Sequence, residues 1–357
     1  MSMLLNAMDS PAAWAIHKLA GAVLSPVFSG SLLLALVVAP EPVRLELLSR
    51  LPVSELGPVV KALKVLLALA VVRSLNAGLS TMAANSWRAT KAKGWHWPDE
   101  VAVVTGGCSG IGYGIVERLA RRGVKVAILD IQDLPEAFEK EAGIRYYRCD
   151  ITSAAAVSEA AAAVRAELGD ASILVNNAGI ANPMSILDVS QDFLRKIFAV
   201  NCLSHWTLVQ EFLPAMIKRN KGHVVTVASI ASFVSMARGA DYSATKAAAL
   251  SFHESLAAEL EHFYHADGVL TSVVHPNFVR TPLVNAYADG LEESGVRLLT
   301  PEYVSAVIAG QIFGRRGGQL VLPEHASGIA ALRGWPTWLQ VIFRNAVANR
   351  ASKLVVP

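Results

Sequence analysis

Charge is what this sequence has least of. Only 17% of its 357 residues are Asp, Glu, Lys or Arg, against about 25% in an ordinary soluble domain, while 53% are hydrophobic. A disordered chain needs the opposite balance, so disorder is excluded. Neither sign dominates: 32 basic and 29 acidic residues leave +3. That is no basic footprint, and no nucleic-acid partner is expected. The three cysteines, Cys108, Cys149 and Cys202, stand at unpaired spacings, which excludes a disulfide framework and a cysteine zinc site. Repeats and low-complexity tracts are absent as well; Ala154–Ala163 is merely alanine-rich and helical. His253, Glu254, His262 and His265 fall near the end of one amphipathic helix and read as a surface face, so no metal is expected.

The apolar excess sits at the front. From Leu19 to Pro40 no charged residue occurs, a length near the ~20 residues that span a bilayer. Ser25, Pro26, Ser29, Gly30 and Ser31 interrupt the run, which is strongest over Leu32 to Ala39. A second segment, Pro58 to about Asn85, sets apolar Val65–Val72 between Lys61, Lys64, Arg73 and Asn76, an amphipathic pattern suited to a lipid interface. Pro40, Pro42, Pro52 and Pro58 turn the chain between the two. Trp87, Trp95 and Trp97, mixed with Arg88, Lys91 and Lys93, favour a membrane–water boundary. Residues 1–98 are therefore expected to form a helical membrane-attachment region; crossing as a transmembrane helix and entering as a hairpin are both open. At the other end, residues 324–357 carry an amphipathic stretch with Trp338, Leu339, Ile342, Phe343 and Ala346 on one side, flanked by Arg344 and Arg350. It is expected to rest on lipid, with packing on a partner subunit as the alternative.

After Pro98 short buried strands alternate with helices: Glu100–Thr105, Val124–Asp130, Arg145–Cys149, Ser172–Asn176, His223–Ala228 and Val269–His275, separated by helical stretches that include Ile111–Arg122, Ala154–Leu168, Gln191–Lys218 and Tyr242–Tyr264. Such alternation predicts an α/β fold, a doubly wound parallel sheet of about seven strands. The first strand runs into T-G-G-C-S-G-I-G, Thr105 to Gly112, and then a helix. Gly106, Gly110 and Gly112 let the backbone approach a pyrophosphate at a helix N-terminus, where free N–H groups favour negative charge. Asp130 ends the next strand, near the ~20-residue spacing at which a carboxylate meets the adenosine ribose. Such a carboxylate repels a 2′-phosphate, and Gly107, Cys108, Ser109 and Ile131 supply no cation to neutralise one. NAD is favoured over NADP. Cys108 is a small residue tolerated in this loop.

Tyr242 and Lys246 stand at i and i+4 of one helix and share a face. A phenol with a pKa near ~10 carries protons poorly at neutral pH. A nearby ammonium and an oxidised nicotinamide would both stabilise the tyrosinate, letting Tyr242 take a proton from an alcohol. Ser229 follows a strand upstream of this pair, and Asn176-Asn177-Ala178-Gly179 follows another.

With these residues assembled, the chain from Asp99 to Pro323 resembles a short-chain dehydrogenase/reductase of the T-G-x-x-x-G-x-G and Y-x-x-x-K group. The resemblance implies a Rossmann-type fold in which Gly106, Ser109, Gly110, Ile111 and Gly112 line the pyrophosphate. It places Asp130 on the adenosine ribose, Asp150 and Ile151 at the adenine, and Asn177, Ala178 and Gly179 along the cofactor. Asn201 would hold a proton-relay water near the lysine, and Ser229 would bind the substrate oxygen. Tyr242 would be the acid/base, with Lys246 lowering its pKa and gripping the nicotinamide ribose; Pro276, Val279 and Thr281 would meet the carboxamide. With the N-terminal segment, V-N-C-L-S-H-W and H-P-N-F-V-R-T, the chain is similar to the membrane-associated retinol and hydroxysteroid dehydrogenases of the endoplasmic reticulum and lipid droplets.

The expectation is a membrane-attached, NAD-dependent oxidoreductase whose catalytic domain (99–323) faces the cytosol and acts on a lipophilic alcohol or carbonyl such as a retinoid, steroid or fatty alcohol. The segment Pro282 to Leu299, with Val284, Ala286, Tyr287, Leu291 and Leu298, would close over the substrate. A homodimer through the Asn201 and Tyr242 helices is what the resemblance implies. The rivals are an NADPH-dependent keto-lipid reductase and a non-catalytic lipid-surface scaffold with a Rossmann body.

Overall fold

The computed structural model describes residue 19 and residues 21–49 and 56–351. The chain divides after Ala83 into two compact units. The described residues of the first include the helices α1 (Pro26–Val38), α2 (Glu41–Ser49) and α3 (Leu56–Ala83). Pro26 begins α1, where its missing N–H costs nothing. It also breaks the charge-free run, so that Leu19–Pro40 is not one continuous helix. The 13 residues of α1 rise only about 20 Å, short of a ~30 Å hydrocarbon core. α3 has the length, at 28 residues, but carries Lys61, Lys64 and Arg73. Among the described residues no helix is long and apolar enough to cross a membrane. α1 packs on α3, with Gly30 against Leu67, while Phe28, Leu34 and Val38 of α1 and Leu69, Val72 and Leu75 of α3 are exposed.

The second unit is built on seven strands: β1 (Val101–Thr105), β2 (Lys125–Asp130), β3 (Ile144–Arg148), β4 (Ile173–Asn176), β5 (Gly222–Val227), β6 (Val269–Pro276) and β7 (Gly318–Leu322). All neighbours pair in parallel, in the order β3-β2-β1-β4-β5-β6-β7. Their near-continuous apolar runs fit a sheet covered on both faces. The helices of this unit are α4 (Gly110–Arg121), α5 (Glu136–Glu139), α6 (Ala154–Glu167), α7 (Gln191–Phe198), α8 (Ser204–Arg219), α9 (Ala240–His262), α10 (Ala288–Glu293), α11 (Pro301–Gly314) and α12 (Thr337–Ala351). One face buries Ile115, Val116 and Leu119 of α4 with Val304, Ile308 and Ile312 of α11. The other buries Val157 and Val164 of α6, Leu208, Phe212 and Met216 of α8, and Phe252 and Leu256 of α9. Side-chain caps begin three of the helices, Ser153 on α6, Ser190 on α7 and Thr300 on α11. Because the chain leaves β1 in one direction and returns on its other side at β4, a crevice opens at the carboxyl ends of the strands, where ligands bind in such sheets.

Three expectations change. The helix expected over Gln191–Lys218 is two, α7 and α8, joined by a π-turn at Ala199–Leu203. Trp95 and Trp97, expected among the interfacial aromatics, are half-buried in the second unit. Their rings meet at a tilt of 38° with centroids 5.6 Å apart, and Trp97 meets Phe313 of α11 edge-on (4.9 Å), leaving Trp87 exposed. The segment after α3 is fastened to this unit by buried Asn85, whose side chain accepts from Gly317 N–H (3.1 Å) and donates to the carbonyls of Arg88 and Thr90. Finally, the apolar side of α12 divides: Phe343 and Val347 pack on Phe233, Val234 and Leu332, whereas Trp338 and Ile342 are exposed.

Candidate active site

The glycine turn between β1 and α4 is shaped by close approaches that only glycine allows. Gly106 (φ +65°) and Gly110 (φ +54°) lie in the left-handed region. A Cβ on Gly112 would fall 1.9 Å from the carbonyl oxygen of Gly106, so the helix starts hard against the turn. Asn177, just beyond β4, donates from its side-chain amide to the carbonyls of Thr105 (2.9 Å) and Gly106 (3.1 Å). Thr105 Oγ1 in turn accepts from the N–H groups of Asn177 and Ala178. No side chain caps the start of α4 at Ser109. The shaped turn and its free helix N-terminus therefore fit a dinucleotide pyrophosphate. Gly106, Ser109, Gly110, Ile111 and Gly112 would hold it. Thr281 closes the turn from the other side, lying 3.1 Å from where a Cβ of Gly110 would be.

Asp130 is buried at the end of β2. Its carboxylate accepts from the N–H groups of Cys108 (2.9 Å) and Gln132 (3.0 Å), which fixes its orientation and leaves lone pairs for a ribose diol. The Cys108 thiol is pushed up to about 12 by burial and by the Asp130 carboxylate. Asp150 turns its own carboxylate onto the N–H and hydroxyl of Thr152 (2.9 and 2.8 Å), and Ile151 is buried beside it. One neighbour escapes notice in sequence: Arg148 is the register partner of Asp130 across β2 and β3. Its guanidinium is held by Asp133 at 2.8 Å. Residues 107–109 and 131 supply no cation, yet the sheet brings one alongside; the signal was the strand pairing, which spacing alone does not give.

On the other half of the crevice, the Lys246 Nζ lies 5.7 Å from the centre of the Tyr242 ring and donates to the carbonyl of Val227 (2.9 Å). Burial pushes the Lys246 ammonium down to about 8. It pushes the Tyr242 phenol up to about 12, with a hydrogen bond to Ser229 working the other way and Tyr287 adding to the rise. In the protein without a bound nicotinamide, desolvation is the largest influence on this phenol. Ser229 Oγ donates to the carbonyl of Pro276 (3.4 Å) and accepts from Ala231 N–H (3.1 Å).

Asn201 sits in the π-turn, fully buried. Its side-chain oxygen accepts from Ile180 N–H and its amide donates to the Ile180 carbonyl, both at 2.8 Å, and to Thr245 Oγ1 at 3.2 Å. The break in the helix aims this amide at the loop after β4, where a Cβ on Gly179 would lie 3.4 Å from Asn201 Oδ1 and 3.7 Å from Lys246 Nζ. The expected catalytic residues thus converge. The segment expected to close over the substrate differs in detail. Val284 and Leu291 are spent on its own small core with Ala288 and Val296, and its base is tied by the Val279–Leu299 bridge and by Arg280 with Glu292 (2.6 Å). Of the expected lid residues, Tyr287 is the one whose phenol influences Tyr242.

The model of the short chain dehydrogenase family matches residues 100–292. The chain is similar to Dehydrogenase RED2 of Cochliobolus heterostrophus, 40% identical over 201 residues that cover 56% of this chain and 75% of that protein. It is also similar to mouse (Mus musculus) epidermal retinol dehydrogenase 2, 33% identical over 60% of this chain and 72% of the relative. Human (Homo sapiens) estradiol 17-beta-dehydrogenase 11 is 36% identical over 52% and 63%. Among solved structures, a short chain dehydrogenase/reductase from Burkholderia phymatum in complex with NAD superposes with a TM-score of 0.58 at 25% identity, covering 66% of this chain and 92% of that one.

Proposed function

Since the chain belongs to the short chain dehydrogenase family, an oxidoreductase family that binds a nicotinamide cofactor and a small-molecule substrate, we propose that it oxidises a lipophilic alcohol with NAD, or reduces the corresponding carbonyl, while attached to a membrane. The observation that carries the reading is the meeting of Ser229, Tyr242 and Lys246, with Lys246 beside Gly179 in the loop after β4.

The cofactor, when bound, supplies the hydride acceptor and, oxidised, a positive ring. Ser229 Oγ leaves the Pro276 carbonyl to donate to the substrate oxygen, and Tyr242 takes the alcohol proton. Burial raises the Tyr242 phenol and lowers the Lys246 ammonium, so a bound oxidised ring would add the positive charge that favours the tyrosinate able to accept the alcohol proton. Asn201 orders the loop around Gly179 beside Lys246. Asp130 favours the free ribose diol, hence NAD. The bound adenine would lie at Asp150 and Ile151, and Pro276, Val279 and Thr281 would face the carboxamide.

Lipid attachment is supported by the exposed apolar side chains of α1 and α3 and by Trp338 and Ile342 of α12, which are costly in water and favourable at an interface. Residues 1–98 as an attachment region, 99–323 as the catalytic domain and 324–357 as a lipid-resting extension belong to this proposal. So do the endoplasmic reticulum or lipid-droplet surface and the cytosolic orientation. Homodimerisation through the helices carrying Asn201 and Tyr242 is supported by exposed Leu203 and Trp206. The names of the retinol and estradiol relatives support a retinoid or steroid; a fatty alcohol is the third lipophilic alcohol of this proposal.

A second reading, an NADPH-dependent keto-lipid reductase, has Arg148 in its favour, since a guanidinium beside Asp130 could meet a 2′-phosphate once released from Asp133. Detergent-solubilised protein given NAD or NADP and a panel of hydrophobic alcohols, with reduced-cofactor absorbance followed, separates the two. Turnover with NAD is expected; turnover with NADP alone overturns the NAD assignment, and turnover with neither overturns the alcohol-dehydrogenase reading.

A further inference from the structure

His275 stands one residue before the end of β6, with none of its side chain exposed. A buried imidazole needs partners for both nitrogens. Nδ1 lies 3.1 Å from the carbonyl oxygen of Ser229. A carbonyl only accepts, so Nδ1 carries the proton. Nε2 is then the acceptor, and the Gln319 side-chain amide donates to it from β7 at 3.3 Å. The two partners select one neutral tautomer, and the Phe233 ring packs on the imidazole at 4.5 Å.

The position matters because the sheet runs out there. Ala228 N–H donates to the Val274 carbonyl (2.8 Å), but Pro276 has no N–H with which to continue the ladder. Beyond Ala228 the backbone must be held by something else. The Ser229 carbonyl accepts from Ser232 N–H (2.9 Å) in the short helical turn that follows, and His275 adds a second donor to it from β6, while the Pro276 carbonyl accepts from the Ser229 hydroxyl at 3.4 Å. Three consecutive residues of β6 thus grip Ala228 and Ser229 at three points.

We propose that His275 is a positioning residue for the reaction: its Nδ1–H bond to the Ser229 carbonyl fixes where the Ser229 hydroxyl meets the substrate oxygen and Tyr242. The assignment rests on the dehydrogenase reading above. It gives His275 its main effect on kcat, because the bond acts on Ser229, while the glycine turn and Asp130, at the far half of the crevice, keep their hold on the nucleotide.

The test uses the full chain with NAD and an alcohol that it turns over. His275→Leu removes both hydrogen bonds and is expected to lower kcat by about 10- to 100-fold, the scale of a small misplacement of a reacting group, with the NAD dissociation constant from tryptophan fluorescence unchanged within about twofold. His275→Asn, whose amide can reach the place of Nδ1, should restore most of the rate; His275→Gln, which reaches toward Gln319, should not. Combining His275→Leu with Ser229→Ala should cost no more than Ser229→Ala alone, because the histidine acts through the serine. Wild-type kcat in His275→Leu, equal losses in the Asn and Gln variants, or additive losses in the double variant overturn the proposal. If His275→Leu fails to bind NAD, the Asn and Gln pair decides. If the wild type oxidises no alcohol, the dehydrogenase reading fails instead, and the His275 tautomer from ¹⁵N NMR decides this proposal: protonation at Nε2 overturns it, and protonation at Nδ1 upholds the bond to Ser229.

Discussion

Around β1, β2 and β3 the crevice is made of backbone, with glycines that admit no side chain and one carboxylate whose oxygens are already aimed by two N–H groups. Around β4, β5 and β6 it is made of side chains that titrate, buried Lys246 and half-buried Tyr242 among them, with buried His205, His223, His253 and His275 packed in the same half of the molecule. The first half works by shape and can be assembled at little electrostatic cost. The second carries polar groups out of water, so its chemistry depends on desolvation as much as on charge. A nucleotide site built by shape is robust to its surroundings, whereas a proton site built by burial is set by everything packed against it.

The contrast is sharpest at Tyr242. Replacing it with Phe keeps the ring and removes the hydroxyl; kcat should fall by about 10²- to 10⁴-fold, the range for a lost general acid/base, while the NAD dissociation constant holds. A fall in NAD affinity of similar size would mean that the two halves are not separable. Next in size, Asp130→Ala should raise the NADP-to-NAD ratio of kcat/KM by about 10- to 100-fold by removing a like charge. Adding Asp133→Asn, which frees Arg148, should raise it further. An unchanged ratio in both variants breaks the assignment of cofactor choice to this corner.

The buried histidines give a third test. His205 and His223 are held down at about 3 and His253 and His275 at about 4 by burial, from an ordinary 6.5. The unfolded chain takes up protons below about pH 6.5 that the folded chain refuses until much lower pH, so stability is full above 6.5 and is lost as the pH falls toward 4 and then 3. Melting temperature measured from pH 7.5 to 4.5 should drop progressively below 6.5. A flat profile would show that these rings are not sealed from water. The smallest effect belongs to the lid. Arg280→Ala removes a half-exposed pairing with Glu292, and kcat/KM should change by no more than about threefold, less in high salt.

The parts legible in the sequence are those written in local spacing. The glycine turn, Asp130, Asn177 and the Tyr242–Lys246 pair each announce themselves within a few residues, because a tight turn and a helix face are local geometry. The alternation of apolar strands with helices likewise foretold the parallel sheet. β7 is short, and its outer residue Gln319 is exposed; it was counted in the expected total of about seven without being placed. The break at Ala199–Leu203 escaped because the run Gln191–Lys218 keeps its helical periodicity, while the π-turn gathers the Asn201 amide toward Ile180 and Thr245. Trp95 and Trp97 read as membrane aromatics because composition does not say that Phe313 waits beside them.

From the order of residues alone come the strand–helix alternation, the glycines that cannot bear a Cβ, and the tyrosine and lysine on one helical face. Each is decided by backbone geometry within a turn or two. Only the folded chain decides that Arg148 stands beside Asp130, that His275 reaches the serine backbone, and that Tyr242 is held above rather than below its ordinary range. These depend on which strands pair and on how much water is excluded, and both are properties of residues far apart in the chain.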